Sequence, residues 1–334
     1  VNKVHLKVAP NRDVILGAIV VGLLVLIALR APIFLSAGSL DTLITDGAIL
    51  AMMAVAQMLP ILTGGIDLSM PANMAFTGMA TALLSKAHPT MPVLATVAIA
   101  LGIGLVLGAF NGCFIAYLGI PPIVVTLGTM SIYRGAVFML SRGAWVNEQD
   151  FGKPYLAFPM SRLFGLTHIF WISAVLIAAA YVFLNHMQRG RELYALGGNP
   201  SAAKYVGIND ANNKMLIYVL TGLAAGLCGY LWVARYAIAY TEIALGFELQ
   251  TVAACVIGGV SITGGRGSVP GVLLGAAFLV IIFNALPIIN VSPFWQMAIS
   301  GAVVLAAVIL NSRSERTQGK VILERDHALT KVAL

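Results

Sequence analysis

The sequence predicts an all-α, polytopic transmembrane bundle of about ten spans, and three observations lead there. Hydrophobic residues are 59% of the chain and charged residues 10%, against about 45–50% and about 25% in soluble domains. Apolar runs of about 20 residues recur from end to end, each long enough for a hydrocarbon core of about 30 Å. The runs are continuous and lack the alternation of half-buried strands, which excludes a soluble sandwich or barrel.

Taken in order, a polar and basic start (Lys3, Lys7, Arg12) precedes the apolar run Val14 to Leu29. That charge pattern also suits a secretory signal. No small-x-small cleavage site follows, and Arg30-Ala31-Pro32 reads as a helix end, so the run is taken as the first span. The second span is expected from about Leu40 to Leu62, ending in Thr63-Gly64-Gly65, and the third from Ile66 to Ser85. The fourth runs from Met91 to Tyr117, the break Gly119-Ile120-Pro121-Pro122 follows, and the fifth runs from Ile123 to Leu140. A long mixed-charge loop, Arg142 to Thr167, leads to the sixth span, His168 to Met187.

The apolar pattern then stops. Arg189 to Asn213 reads RGRELYALGGNPSAAKYVGINDANN, a basic, glycine-bearing island. Glu192 to Ala195 can open a short helix, Gly197-Gly198 break it, and Ser201 to Val206 form a second. Asn199 or Ser201 can cap that second helix, with Pro200 setting its first turn. Such an island suits either the groove of a soluble partner or the lipid headgroups, and physics alone leaves both open. The seventh span is expected from Lys214 to about Val233, the eighth from Glu248 to Ile262, the ninth from Val269 to Ile289 and the tenth from Pro293 to Asn311.

The formal charge of +7 is explained by topology rather than by nucleic acid. With both termini in the cytoplasm, the termini, the island (Arg189, Arg191, Lys204, Lys214) and the turn at Arg266 all fall inside, as the positive-inside rule requires. The three cysteines, Cys113, Cys228 and Cys255, are far apart in apolar runs and show no metal or disulfide spacing. No two of the five histidines stand four apart, and there is neither a G-x-S-x-G elbow nor a G-x-x-x-x-G-K-[ST] loop. The chain therefore has no catalytic, metal or nucleotide motif. Gly258 to Gly265 resembles a phosphate cradle but lacks the lysine, and close helix packing is the better reading.

Polar residues inside spans cost free energy unless they meet a cavity or a partner. The candidates are Gln57, Asp67, Asn73, Asn111, Thr126, Arg134, Glu248, Gln250 and Asn284. Asp67, after Gly64-Gly65, suits a helix N-terminus and is read as structural, as are those glycines and Gly264-Gly265. Arg134 suits a structural ion pair. Asn73, Asn111, Thr126 and Gln250 are the candidates for a wet pathway, and Asn73 and Asn111 can equally bond between helices.

Four stretches carry a family resemblance: ILTGGIDLS (Ile61 to Ser69), FNGCFIAYLGIPPIVVTLGTMSIYRG (Phe110 to Gly135), GRELYALGGNPSAAKYVGI (Gly190 to Ile208) and AACVIGGVSITGGRGSVPGVLLGA (Ala253 to Ala276). In order and spacing they resemble the membrane permeases of ATP-binding-cassette sugar importers of the ribose, xylose, galactose, rhamnose and autoinducer type. SRGAWVNEQD (Ser141 to Asp150) and LCGYLWVARYAIAYTEIALGFEL (Leu227 to Leu249) look closest to the rhamnose branch. The resemblance implies a non-enzymatic subunit in a bacterial inner membrane, with residues 1–313 as the permease domain and 314–334 as a cytoplasmic tail. It implies a second permease, identical or paralogous, a periplasmic solute-binding protein, and a cytosolic ATPase that carries the ATP and Mg. It makes the island the coupling loop, with Glu192, Leu193, Ala195, Gly197, Gly198, Asn199, Pro200, Ser201, Ala202, Ala203, Val206 and Gly207 as the contact residues. An ion-coupled secondary transporter is the alternative, and it predicts an essential carboxylate at the bilayer midplane.

Overall fold

The computed structural model describes residues 12–288 and scattered positions from 291 to 305. Among these the chain is helical almost throughout. The helices are α1 (Arg12–Arg30), α2 (Ala37–Leu62), α3 (Met70–Ala87), α4 (Val93–Ala116), α5 (Pro122–Ser141), α6 (Lys153–Met160), α7 (His168–His186), α8 (Gln188–Gly198), α9 (Pro200–Tyr205), α10 (Asp210–Tyr236), α11 (Phe247–Ile257) and α12 (Val269–Ile288). Seven of them, α1, α2, α4, α5, α7, α10 and α12, are long and apolar enough to cross a membrane. The expected tenth span and the tail lie outside the described residues, save for isolated positions up to 305.

The centre of the bundle is α2, α3 and α10. The inner half of α2 from Ala48 to Leu62 is buried almost without interruption. α3 is absent from the apolar set because Asn73, Thr77, Thr81, Ser85 and Lys86 make it polar, and it is buried all the same. A helix enclosed by other helices need not satisfy lipid; its polar groups bond to neighbours instead.

α4 and α10 meet along glycines. Gly104 and Gly108 on α4 face Gly222 and Gly226 on α10, and a Cβ on any of the four would run into the facing backbone. Both helices carry the small-xxx-small spacing that lets membrane helices approach closely. α12 and α11 pack antiparallel in the same way, with Gly271 against Gly258 and Gly275 against Ala254. α1 lies on α12 through Val20, Ile281 and Ala285. Its Arg12 donates to the carbonyl of Val256 at 3.2 Å. A cation there meets the negative end of α11.

Four expectations need correction. The third span does not begin at Ile66: Ile66 to Ser69 is irregular and the helix starts at Met70. The Asp67 side chain takes the backbone N–H of Ser69 at 2.9 Å, an Asx-type bond that competes with helix formation. The eighth span is not a full crossing. α11 has 11 residues, about 16 Å of helix, and stops where Gly259 takes φ +92°. The stretch before it, 237–246, is non-helical. It is held by a two-way backbone bridge between Ala239 and Val146 (2.9 Å each) and by Arg134, which donates to the carbonyl of Ile243. Arg134 thus binds a carbonyl, and no carboxylate lies within ion-pair distance among the described residues. Finally, Gly197-Gly198 do not break the first island helix, which runs from Gln188 through Gly198.

The Arg142–Thr167 loop is ordered. Asn147 and Asp150 form a reciprocal capping box, and a two-stranded hairpin pairs Arg162–Leu163 with Leu166–Thr167. Two ion pairs fasten it to the bundle, Lys86–Asp150 at 3.1 Å and Arg162–Asp41 at 2.9 Å.

Candidate functional site

The island folds as two short helices at an angle. Leu193 and Leu196 anchor α8 in the core. Gly190 lies flat on the Phe183 carbonyl and Leu184, and Tyr194 Oη donates to the carbonyl of Gly267 at 3.1 Å. Asn199 caps α9 by accepting from the N–H of Ala202 at 3.0 Å, with Pro200 in its first turn. α9 ends at Gly207, whose φ of +83° an L side chain rarely adopts. The N–H of Gly207 reaches the Lys204 carbonyl and that of Ile208 the Ala203 carbonyl, both at 3.1 Å. This pair of bonds closes the last turn as glycine-terminated helices do.

The two helices divide the expected contact residues by exposure. Leu193 and Ala203 face inward, whereas Ala195, Gly198, Asn199, Pro200, Ser201, Ala202, Val206 and Gly207 lie on the surface. Tyr205 is 92% exposed and Val206 76%, so α9 ends in a bare apolar tip. Glu192 sits behind it. Its carboxylate accepts from Asn213 Nδ2 at 2.9 Å, Gln188 Nε2 at 3.0 Å and Arg189 at 3.3 Å. The Asn213 bond above all holds this carboxyl below the ordinary carboxylate range. The clasp ties α8 to the first turn of α10, where Asn209 caps the helix by accepting from Asn212 N–H at 2.9 Å.

Five glycines from three stretches far apart in sequence, Gly64, Gly197, Gly198, Gly264 and Gly265, meet where α8 ends. The N–H of Gly265 donates to the Leu62 carbonyl at 2.9 Å. Gly197 lies against both of those groups, Gly265 packs on Gly198, and Gly264 (φ +93°) abuts Gly64. Gly64, Gly264 and Gly265, expected to be structural, and Gly197 and Gly198, expected at the coupling surface, therefore form one junction, while Gly65 packs on Pro122 and Tyr218.

From this junction the irregular segment 63–69 leads into the bundle. Ser69 Oγ donates to Asp67 Oδ1 at 2.6 Å, and Thr221 donates to Oδ2 at 3.3 Å. The Gln57 amide, oriented to satisfy the network, donates to the Asp67 carbonyl at 2.9 Å and accepts from its N–H at 3.1 Å. Thr126 donates to the Ile66 carbonyl at 3.2 Å, and Asn111 donates to Ser69 Oγ at 2.7 Å. Asn73 accepts from Thr77 at 3.1 Å and donates to the Gly104 carbonyl at 3.4 Å. Asn73, Asn111 and Thr126 are thus buried and spent on their own chain, while Gln250 is half-exposed. Non-helical backbone at membrane depth persists where protein groups satisfy it in this way.

Residues 39–308 match the family described as branched-chain amino acid transport system / permease component. The chain belongs to this permease family. Such permeases are the membrane components of ATP-binding-cassette importers, in which a separate subunit hydrolyses ATP, and this sets aside the ion-coupled alternative. Similar proteins include the ribose import permease protein RbsC of Escherichia coli K12, 35% identical over 300 residues, covering 88% of this chain and 93% of the relative. The galactose/methyl galactoside import permease protein MglC of the same strain is 35% identical over 314 residues, covering 89% and 94%. The autoinducer 2 import system permease protein LsrC of E. coli O9:H4 is 31% identical over 303 residues, covering 91% and 87%. No solved structure matches the chain.

Sequence reasoning missed Tyr205, Tyr194 and Asn213. A tyrosine after alanines in a polar island signals the first. The other two act through contacts with Gly267 and Glu192 that no local pattern encodes.

Proposed function

We propose that this permease imports a monosaccharide or a related small hydroxylated solute, and that α9 is the knob by which an ATPase moves it. The observation that carries the reading is the pairing of a bare Tyr205–Val206 tip with a base that cannot yield, the glycine junction. A lever needs an apolar end for a partner groove and a stiff root. The solute class is supported by the names of the relatives, which are ribose, galactose and autoinducer 2 permeases. The rhamnose-like stretches 141–150 and 227–249 add deoxyhexoses to the panel worth testing.

In this reading the chain makes ten spans in a bacterial inner membrane, with both termini cytoplasmic. α3 and the broken 237–257 crossing supply two spans that length and hydropathy alone do not reveal, and the tenth follows α12. Residues 1–313 form the membrane domain and 314–334 a cytoplasmic tail. A second permease copy or paralogue completes the pathway, a periplasmic binding protein delivers solute to the outer loops, and ATP and Mg reside on the ATPase.

The test is uptake by the complex reconstituted with its ATPase and binding protein. Uptake is expected to need ATP and no ion gradient. Deleting Gly197 to Ala203 would remove the junction as well as the knob, so Val206→Asp and Tyr205→Ala are the sharper variants. They are expected to abolish stimulation of the ATPase while the membrane domain keeps its thermal stability. Full uptake by Val206→Asp would refute docking through α9.

A further inference from the structure

At the outer end of the bundle lie two groups of side chains that neither the knob nor the 63–69 network uses. The first is aromatic. The Val146–Ala239 bridge lays the outer loop against the segment after α10 and brings the Trp145 and Tyr240 rings within 5.8 Å. Trp145 is 57% exposed. The second group is charged. Arg134 is fixed on the Ile243 carbonyl, and Glu248, Glu242 and Tyr240 lie within electrostatic reach of its guanidinium. Arg134 stands about 10 Å along the axis from Ser141, the outer end of α5, at about 1.5 Å per residue. An aromatic rim therefore leads down to a charged floor.

The floor is not sealed by its own chain. Glu242 is exposed, and Arg134 and Glu248 are half-exposed. Arg134 shares its helix face with Leu127, Ser131 and Gly135, all exposed. Charges at this depth facing hydrocarbon would cost several kcal/mol, so this face meets water or protein.

We propose that Trp145, Tyr240, Arg134, Glu242 and Glu248 form a contact site for a neutral polyhydroxylated solute at the outer mouth of the pathway. The inference rests on the permease reading and deepens it. The guanidinium donates and the two carboxylates accept, which matches hydroxyls that do both. The ring faces pack against the C–H face of a sugar. An anionic solute would meet two carboxylates beside a single cation. A zwitterionic branched-chain amino acid can pair its own charges with this floor, but its aliphatic side chain offers the rim neither hydroxyls nor a ring C–H face, so the aromatic pair is what discriminates. Leucine, an amino acid of the kind in the family's description, is therefore the probe that tests that discrimination.

The test is saturation-transfer NMR on the full chain in nanodiscs, with D-ribose, D-galactose and L-leucine as probes. Both sugars are expected to receive more saturation than leucine. Trp145→Ala and Glu242→Gln should each raise the midpoint sugar concentration about tenfold, equivalent to about 1.4 kcal/mol. Trp145→Phe, which keeps the ring face, should restore most of the signal. Phe164→Ala, on the outer hairpin and outside the site, should change nothing. The proposal is overturned if no sugar receives saturation, if leucine matches the sugars, or if Phe164→Ala weakens the signal as much as Trp145→Ala. The last outcome would make the aromatics membrane-interface anchors only. ATP-dependent uptake judges the permease reading separately.

Discussion

Adjacent glycines in α8 should respond to alanine in opposite ways. At Gly197 a new Cβ would strike the Leu62 carbonyl and the Gly265 amide, both backbone groups that cannot rotate away. The substitution breaks the Gly265–Leu62 hydrogen bond, about 0.5–1.5 kcal/mol, and overpacks the junction, about 1–3 kcal/mol. Better helix propensity returns about 1 kcal/mol. The net is a loss of about 0.5–3.5 kcal/mol. At Gly198 a Cβ meets nothing within 4 Å, so only the propensity gain remains, up to about 1 kcal/mol, less at a helix end. The assay is the apparent midpoint of thermal unfolding in nanodiscs at a fixed scan rate, since unfolding of such proteins is commonly irreversible. Gly197→Ala should melt earlier than wild type and Gly198→Ala no earlier. If Gly197→Ala were as stable as wild type, or if both variants fell together, the five glycines would not form a rigid junction.

Asp67→Ala should be among the more destabilising substitutions, because it strands the buried Ser69 N–H and the Ser69 hydroxyl, at about 1–3 kcal/mol for each donor left unpaired, whereas Thr221 keeps the Tyr218 carbonyl at 3.1 Å. Asp67→Asn keeps an acceptor and should cost less in the same melting assay. Gly207→Ala forces a side chain into φ +83° and should cost about 1 kcal/mol, read as faster proteolysis within 199–208. The Glu192 clasp should depend on pH with a defined sign. Its carboxyl is held low when folded, so its contribution is present above the ordinary carboxylate pKa and is lost as pH falls through the depressed value. The protection of the α8 amides, measured relative to the intrinsic exchange rate at each pH, should therefore be steady at neutral pH and fall only in acid, and Glu192→Gln should abolish that fall.

The helical class and most spans were legible because a bilayer imposes one strong rule, apolar length, and α1, α2, α4, α5, α7, α10 and α12 obey it. The island was legible as well. Asn199, Pro200 and Gly207 are local signals, a cap, a first-turn proline and a left-handed stop, and each acts within a few residues of itself. α3 and α11 were harder. One is polar because neighbours satisfy it, and the other is short because Arg134 and Val146 hold the irregular half of its crossing.

By itself, then, the sequence determined that this is a multi-pass permease with a polar island between its apolar runs, through apolar length, local caps and motif order. Only the tertiary structure decided what the polar residues do. Asn111 and Thr126 bond the irregular 63–69 segment and Asn73 bonds Thr77 and the Gly104 carbonyl, contacts that sequence spacing does not reveal, while Arg134 and Glu248 are half-exposed and Glu242 is exposed. The glycine junction was equally hidden. Gly64, Gly197 and Gly264 are each unremarkable turn or helix-end residues alone, and their shared demand for space exists only where three backbones meet. Close backbone approach is a property of pairs of segments, and no single stretch of sequence records it.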